Sequence, residues 1–303
     1  MIDDEQAAEL VRAALHMPPL AAERQLLTQS GNCIFRVDLP EGQSTVLRVS
    51  PHRNAFAHTG RNLGILREME LPVQTVLASG ATESGGSFII LNWIPGRDLA
   101  YELPQMCPEQ MTRVAETVTE YQKRVGCLPR SNGFGWAPIG GHPTFAQWTN
   151  IFGEPANDSI AVDATPLAQL RARLRAVRRS VEPHFASLSP TCFLDDLTTK
   201  NVLVERGELQ GVIDFDTVCY GDPLMSVGTT LAHLAADVGE AGRFYGEELI
   251  RCWSPRVDAL RATRFYAALW LVGFVAAAEA VGEIARATEL VGIADVMLSL
   301  AET

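Results

Sequence analysis

The order of strand-like and helix-like segments most restricts the folds open to this chain. Three short runs rich in β-branched and aromatic residues lie in its first third, at residues 33–40, 44–50 and 87–94. Such runs, bounded by turn residues, are typical of strands. A helical candidate lies around residues 55–70, and a helix at the N-terminus would be capped by Asp3 or Asp4. Residues 20–94 are therefore predicted to form an antiparallel sheet with one inserted helix.

The rest of the chain is predicted to be mainly helical. Apolar residues recur at helical spacing in three further segments: 108–125, 167–181 and from about 224 onward. Residues 133–154 are rich in glycine and aromatic residues, which favours a loop with a short helix. The predicted architecture is α+β with two lobes, residues 1–94 (helix, sheet and inserted helix) and residues 95–303 (mainly helical).

Composition and charge exclude several classes of protein. With 47% hydrophobic and 20% charged residues, the chain is typical of a soluble globular protein. Its net charge of −11 argues against a nucleic-acid binder. Residues 187–303 alone contain 17 acidic and 8 basic residues. This acidity would attract a cationic substrate or a metal ion, and it would serve solubility equally well.

The cysteine pattern and the apolar segments indicate a cytoplasmic protein without a membrane anchor. The six cysteines are scattered, as expected of reduced thiols, and the N-terminus lacks the basic and apolar regions of a signal peptide. The most apolar stretch, residues 265–278, is shorter than the roughly 20 residues that a membrane span needs. It is therefore predicted to be a buried helix.

Two adjacent carboxylates, Asp195 and Asp196, follow an apolar run, where an uncompensated charge is costly. A predicted hairpin comes next, with Asn201 at the start of its first arm and Asp214 near the end of its second arm, residues 209–216. Because the arms of a hairpin run antiparallel, these two positions are expected to lie close together. Two oxygens from different arms and a nearby carboxylate would suit Mg²⁺.

These residues belong to an ordered series of five motifs. The series is Asp196-x-x-x-x-Asn201, Ile213-Asp214-Phe215-Asp216, and the segments 94–99, 132–136 and 220–224. It resembles the aminoglycoside phosphotransferase-like family of kinase-fold small-molecule phosphotransferases, over residues from about 30 to 225. The resemblance implies a bilobal protein-kinase-like fold, with a small β-rich N-terminal lobe and a larger, mainly helical C-terminal lobe that carries the catalytic loop and the hairpin.

The resemblance also implies the roles of the polar residues. Asp196 would orient the acceptor hydroxyl and accept its proton. Asn201 and Asp214 would hold Mg²⁺ at the phosphates of ATP. Arg48 stands where the fold usually has its phosphate-pairing lysine.

The same comparison assigns the nucleotide contacts of the first lobe. Ser30 and Gly31 occupy the place of the hairpin that covers the phosphates, although a single glycine is a poor match to a glycine-rich loop. The backbone groups of Asn92, Trp93 and Ile94 would contact the adenine edge.

The chain departs from the family pattern at several positions. Leu194 stands where the family has a histidine, Asp195 where it has a glycine, and Ser226 where an aspartate is often found. No acidic partner for Arg48 can be assigned, because the glutamates of the helical candidate at 55–70 come later than expected. Asp195 either contacts substrate or metal, or reaches solvent or an arginine.

Several other polar and aromatic residues have simpler structural explanations. Asp214 and Asp216 alternate along the predicted strand, so one of them would face away, and the motif favours Asp214 as the ligand. Asp222 is expected to cap the following helix or pin its loop. Ordinary surface or packing positions are expected for His142, His184 and His233. The three tryptophans Trp93, Trp136 and Trp148 are expected to pack between the lobes, with the lining of a pocket as the alternative.

The sequence therefore predicts an ATP- and Mg²⁺-dependent phosphotransferase that moves the γ-phosphate to a hydroxyl of a small molecule. A cationic acceptor, an aminoglycoside-type antibiotic or another metabolite would each be compatible. The alternative is a pseudokinase that binds a nucleotide or a partner without chemistry, and a metal-dependent hydrolase ranks third. Acceptor contacts are expected from residues 133–165 and 225–303, which contain no motif that identifies the acceptor or the oligomeric state.

Overall fold

The computed structural model describes residues 2–27, 31–153 and 165–303. The chain forms two compact units, Met1–Pro95 with Gln210–Thr217, and Gly96–Leu209 with Val218–Thr303. The boundary after residue 94 that the sequence suggests stays a prediction. That boundary leaves the segment Gln210–Thr217 in the second lobe, whereas its contacts place it in the first unit.

The first unit is built on a five-stranded antiparallel sheet. Its strands are β1 (Ala21–Leu27), β2 (Cys33–Asp38), β3 (Ser44–Ser50), β4 (Val76–Ala81) and β5 (Ser87–Asn92), in the spatial order β1-β2-β3-β5-β4. One helix, α2 (Thr59–Glu68), lies between β3 and β4 in sequence. The predicted sheet with one inserted helix is confirmed, and the helix begins four residues later than the predicted range.

The N-terminal helix covers one face of this sheet. Helix α1 (Asp4–Leu15) begins with a capping box, in which the Asp3 side chain accepts a hydrogen bond from the backbone N of Gln6. Alternation along β2 and β3 places every second side chain in the core. The shared core of helix and strands contains Ala7, Val11, Phe35, Val37, Leu47 and Ile90. This packing provides the rigid platform on which β3 presents Arg48.

The second unit contains most of the helices and two small sheets. Its helices are α3 (Leu99–Glu102), α4 (Pro108–Val125), α5 (Pro166–Ala186), α6 (Leu224–His233), α7 (Glu240–Trp253), α8 (Val257–Ala280) and α9 (Ile284–Glu302). Its strands are β6 (Arg97–Asp98), β7 (Gly135–Ala137), β8 (Thr191–Phe193), β9 (Val202–Glu205) and β11 (Val218–Gly221). Strand β10 (Glu208–Val212) begins in this unit and ends in the first. The sheet orders are β10-β9-β6 and β7-β11-β8.

Helix α8 is longer than its apolar stretch suggested. It has 24 residues, and it is the one helix of the described ranges with the length and apolar composition to cross a membrane. Half of its most apolar segment is buried within the protein, as is common for core helices of similar length and composition. Phe265, Tyr266 and Leu271 are fully buried. The apolar stretch alone is too short to span a membrane, but the helix that contains it is long enough. The burial of this stretch is as predicted.

The close approach of α6 to α8 depends on Gly228. A Cβ atom at this position would lie 2.5 Å from the Cβ of Tyr266 and 2.6 Å from the carbonyl oxygen of Thr263. Both contacts are too short and involve atoms that cannot rotate away. Gly273 of α8 has nothing within 4 Å of such an atom. Gly228 and Gly273 therefore allow a controlled comparison, because both lie inside helices but only Gly228 lies against a neighbouring helix.

We expect Gly228→Ala to lower the free energy of unfolding by about 1–3 kcal/mol, because overpacking separates the two helices. Gly273→Ala should raise it by about 0.5–1 kcal/mol through helix propensity. Urea unfolding followed by circular dichroism measures both changes. Equal shifts of the two variants in one direction would contradict the packing argument.

Candidate active site

The loop after β8 brings two of the predicted site residues together. The Nδ2 of Asn201 donates a hydrogen bond to the backbone carbonyl of Asp196 over 2.9 Å. Within the same turn, the backbone N of Thr198 donates to that carbonyl over 2.8 Å. The side chain of Asp196 is exposed, whereas Leu197 and Thr198 are buried and anchor the loop. The fold thus presents a carboxylate to solvent from a fixed turn.

A buried glutamine of α4 holds the main chain two residues before Asp196. The Oε1 of Gln122 accepts from the backbone N of Leu194 over 2.9 Å, and its Nε2 donates to the Leu194 carbonyl over 2.7 Å. The Nε2 also donates to the Oγ of Ser226 over 3.0 Å. These side chains are almost fully buried. One neutral amide therefore satisfies both backbone groups of Leu194, and a buried polar group without a partner would be costly there.

This arrangement connects two departures from the family pattern. Leu194 and Ser226 stand where the family has a histidine and often an aspartate, and both residues contact Gln122. Leu194 packs as a buried apolar residue. The main chain at Leu194 is thus held by an amide from α4. Sequence reasoning missed Gln122, although a polar residue on the buried face of an amphipathic helix is a signal that could have found it.

Asp195 has a specific partner. The indole Nε1 of Trp136 donates to its Oδ2 over 2.5 Å. Strand β11 pairs with both β7 and β8, and Cys219 lies opposite Trp136 on one side and Phe193 on the other. This register brings the side chains of Trp136 and Asp195 together. Trp136 is 43% exposed, whereas Trp148 is buried.

In the first unit, Arg48 of β3 binds two carboxylates. Its Nη2 lies 2.6 Å from Oδ2 of Asp216 and 3.1 Å from Oδ1 of Asp214. Its Nη1 donates to Oδ1 of Asp216 over 3.3 Å, which makes that pair bidentate. The side chain of Arg48 is 16% exposed and that of Asp216 is 27% exposed. Arg48 therefore has the acidic partner that the sequence could not assign.

Helix α2 supports this ion pair with neutral side chains. The Oγ1 of Thr59 donates to Oδ1 of Asp216 over 2.6 Å. The Nδ2 of Asn62 donates to the carbonyls of Phe215 and Asp216 over 3.0 and 2.8 Å. Thr59 and Asn62 are buried. The helix thus contributes a threonine and an asparagine three residues apart, at the spacing that puts both side chains on one face.

The backbone at Asp214 differs from the predicted strand. Strand β10 ends at Val212, whose backbone N donates to the carbonyl of Pro72 over 3.0 Å. Asp214 has a φ of +71°, in the left-handed region that a residue with a Cβ rarely adopts. The prediction that Asp214 and Asp216 alternate along a strand is therefore wrong, and both reach Arg48. Strained backbone of this kind costs about 1–3 kcal/mol and is concentrated at functional sites.

The predicted nucleotide-contacting residues are placed as follows. Ser30 lies outside the described residues, and Gly31 precedes β2 with a φ of +81°. Asn92 ends β5; its backbone N donates to Thr75, and the backbone N of Trp93 donates to Ser44.

The ring of Trp93 and the carbonyl of Asn92 also have partners, and Ile94 is buried. The ring of Trp93 lies 4.8 Å beneath the guanidinium of Arg36, a cation–π contact. The carbonyl of Asn92 accepts from Gln74. Ile94 is buried, and its neighbour Pro95 has no N–H.

Asp222 pins the loop that follows β11, as predicted. Its Oδ1 accepts from the backbone N of Leu224 over 3.0 Å, and its Oδ2 accepts from the Oη of Tyr266 over 2.9 Å. His184 lies 2.8 Å from the same Oδ2. Burial raises the pKa of the Tyr266 hydroxyl well above its usual range, and the nearby Asp222 charge adds to this shift. Tyr266 therefore remains a neutral donor.

No three His, Cys, Asp or Glu side chains within the described ranges form a cluster suited to a metal ion. The predicted Mg²⁺ ligands, Asn201 and Asp214, carry an amide oxygen and carboxylate oxygens, which are the donor atoms that Mg²⁺ prefers. Their role as metal ligands stays a prediction.

The fold is that of a kinase-like small-molecule phosphotransferase. The family model described as "Phosphotransferase enzyme family" matches residues 24–266, and the chain belongs to this family. No curated protein matches the chain. The predicted fold and kinase class are confirmed, and the pseudokinase alternative is not favoured.

Solved structures of aminoglycoside phosphotransferases share the fold at low identity. A thermostable mutant of APH(4)-Ia, in a ternary complex with AMP-PNP and hygromycin B, is 17% identical, with 97% of this chain and 98% of that chain covered and a TM-score of 0.69. Aminoglycoside 2'-phosphotransferase-IIIa in its GDP complex is 14% identical, with 98% and 99% covered and a TM-score of 0.70.

We expect Gln122→Leu to lower kcat by about 10- to 100-fold, because the loop before Asp196 loses its support and a small misplacement of a reacting group is costly. The nucleotide KM should change less. Assays of ADP formation provide both constants. Glu120→Gln, at an exposed position of the same helix, is the matched control and should behave like the wild type. An unchanged kcat in Gln122→Leu would contradict the positioning role.

We expect Asp216→Asn to lower the free energy of unfolding by about 2 kcal/mol, since it breaks a charge-assisted, partly buried pair. The KM for the nucleotide should rise as Arg48 loses its orientation. The control is Asp38→Asn, whose partner Arg36 and own carboxylate are each 42% exposed, and it should cost less than about 1 kcal/mol. Urea unfolding and nucleotide titration measure the two effects, and equal costs at both sites would be the contrary result.

Proposed function

We propose that this protein is an ATP- and Mg²⁺-dependent kinase that transfers the γ-phosphoryl group to a hydroxyl of a small molecule. The observation that carries this proposal is the loop that presents the exposed Asp196 next to Asn201. The acceptor oxygen attacks the γ-phosphorus, the bond to the β-phosphate oxygen breaks, and ADP leaves. Asp196 accepts the proton of the acceptor hydroxyl as the new bond forms.

We assign Mg²⁺ binding to Asn201 and Asp214. The Nδ2 of Asn201 is used by the Asp196 carbonyl, which leaves Oδ1 of the amide as the ligand atom. Asp214 supplies a carboxylate, and its left-handed backbone directs the chain away from the end of β10. When bound, Mg²⁺ offsets the charge of the phosphates.

Arg48 is assigned to the phosphates, and Asp216 and Thr59 keep its planar guanidinium in one orientation. Ser30 and Gly31 are the further phosphate contacts in this proposal. The adenine contact falls on Ile94, since the backbone N and carbonyl of Asn92 and the backbone N of Trp93 already have protein partners.

The coarse identity of both substrates follows from the family and its neighbours. Neighbouring structures contain AMP-PNP, ADP or GDP, and three of these four also contain hygromycin B or kanamycin. We assign ATP as the phosphoryl donor and a hydroxylated small molecule as the acceptor. All six cysteines are free, which supports a reducing, cytoplasmic compartment.

We expect Asp196→Asn to lower kcat by a factor of about 10²–10⁴, because it removes the proton acceptor. ATP and Mg²⁺ should still raise the thermal midpoint of this variant, since the nucleotide contacts lie elsewhere. Asp195→Asn is the matched control: it can still accept from Trp136, and it should retain most of the turnover. Wild-type turnover in Asp196→Asn would refute the assignment of the base. A wild-type protein that binds ATP but forms no ADP with any acceptor would instead support a pseudokinase.

A further inference from the structure

A cavity of about 490 Å³ in the second unit lies beside the loop that carries Asp196 and Asn201. Its wall includes two acidic and two basic side chains, Asp98, Asp237, Lys200 and Arg286. A second cavity of about 290 Å³ shares the last three of these residues. The ring of Tyr101 also lines the larger cavity and is 61% exposed.

The main chain connects this cavity to the catalytic loop. Lys200 is the residue before Asn201. The backbone N of Ala100 donates to the carbonyl of Thr199 over 3.1 Å, and Asp98 pairs with Leu203 where β6 meets β9. The element that carries Asp98 is thus hydrogen-bonded on both sides of Asn201. A ligand in the cavity would lie next to the loop that presents the catalytic carboxylate.

Asp237 is already neutralised by its neighbours. It lies in a π-helical turn, Leu234–Val238, which follows α6, and such turns are frequent at functional sites. Its Oδ2 lies 3.0 Å from Nδ1 of His233 and 3.5 Å from Nζ of Lys200, and its Oδ1 lies 3.5 Å from Nη2 of Arg286. This carboxylate therefore has little capacity left for a cationic ligand.

Asp98 and Lys200 keep unused hydrogen-bonding capacity. Asp98 is partly buried, and its carboxylate accepts no hydrogen bond from the described residues. Burial raises the pKa of its carboxyl above the usual value, against the opposing charges of Lys200 and Arg97. The Lys200 side chain is 55% exposed, and its ion pair with Asp237 is long. The cavity thus offers one acceptor and one donor close together, beside an exposed aromatic ring.

We propose that this cavity binds the phosphoryl acceptor and that the acceptor is a neutral, polyhydroxylated molecule such as a sugar. The inference rests on the proposed function. A hydroxyl of the acceptor donates to Asp98, another oxygen accepts from Lys200, and the apolar face of its ring packs on Tyr101. A polycation needs several unpaired carboxylates, and the cavity wall contains as many cations as anions.

The first test compares acceptors by ADP formation. Ribose, glucose and inositol serve as neutral polyols, and kanamycin serves as the polycation. The polyols should give a kcat/KM at least tenfold above that of kanamycin. Kanamycin as the best acceptor would overturn the inference and leave the proposed function intact.

The second test uses Asp98→Asn and Lys200→Met, each of which should raise the KM of the best polyol about tenfold, a loss of one hydrogen bond to a charged group. The KM of ATP serves as the internal reference, and Glu240→Gln, an exposed carboxylate of the same unit, is the matched control. A rise of the ATP KM instead of the acceptor KM would show that the cavity binds the nucleotide, and would overturn the inference.

Thermal unfolding separates a binding role from a folding role. Because the pKa of folded Asp98 is raised, its ionised form destabilises the native state above that pKa. Asp98→Asn should therefore have an equal or higher thermal midpoint at pH 7. The difference should shrink as the pH falls through the raised pKa of folded Asp98, and it should be gone below about 4, the usual pKa of an aspartate in an unfolded chain. A lower midpoint at pH 7 would indicate a structural role and count against the inference.

Calorimetry with the same polyols distinguishes the inference from the proposed function. Polyol binding that is lost in Asp98→Asn, without ADP formation from any acceptor, would overturn the kinase function and leave the binding site. Absence of polyol binding, together with ADP formation from another acceptor, would overturn the site and leave the kinase.

Discussion

In this protein, carboxylates beside buried strands accept hydrogen bonds from specific donors. The candidate active site depends on this compensation of buried charge. An ionised carboxylate in apolar surroundings is costly unless hydrogen bonds or a cation compensate it. Asp216 accepts hydrogen bonds from Arg48 and Thr59, and Asp195 accepts one from the indole of Trp136. Each donor comes from an element distant in sequence. The bonds that compensate the charge therefore also fix the position of the strand, helix or loop that carries it.

The support of the loop before Asp196 uses no charge at all. A histidine and an aspartate would place an ionisable pair in the core, whereas Gln122 supplies a donor and an acceptor from one neutral, planar group. Both backbone groups of Leu194 are satisfied, and Ser226 accepts the remaining amide hydrogen. Substitutions that look like loss of function in sequence are therefore a coherent exchange of one hydrogen-bonded network for another, with the loop still held.

The sequence predicted the elements whose side chains repeat with a clear period, including α4, β2, β3 and β5. It failed where the decisive information was backbone conformation or register. The alternation of polar residues continues past the end of β10, so nothing in the pattern reveals the left-handed turn at Asp214 that brings both carboxylates to Arg48. The contact of Trp136 with Asp195 depends on the pairing of β11 with two strands, which periodicity does not encode. The roles of Asp196 and Asn201 came from motif spacing and remain predictions.

Net charge alone does not identify the acceptor, for a related reason. The acidic excess of residues 187–303 describes long-range attraction, which acts on any cation near the surface. Selectivity inside a cavity depends on groups that still lack partners at short range. Asp237 contributes to the long-range attraction but hardly to the short-range selectivity, because His233, Lys200 and Arg286 already surround it. Asp98 has the opposite character: its carboxylate accepts no hydrogen bond from the described residues, and burial disfavours its ionised form. In the proposed acceptor site, a ligand donor at Asp98 would gain a hydrogen bond that the protein alone does not make, and the overall charge provides no such short-range selectivity.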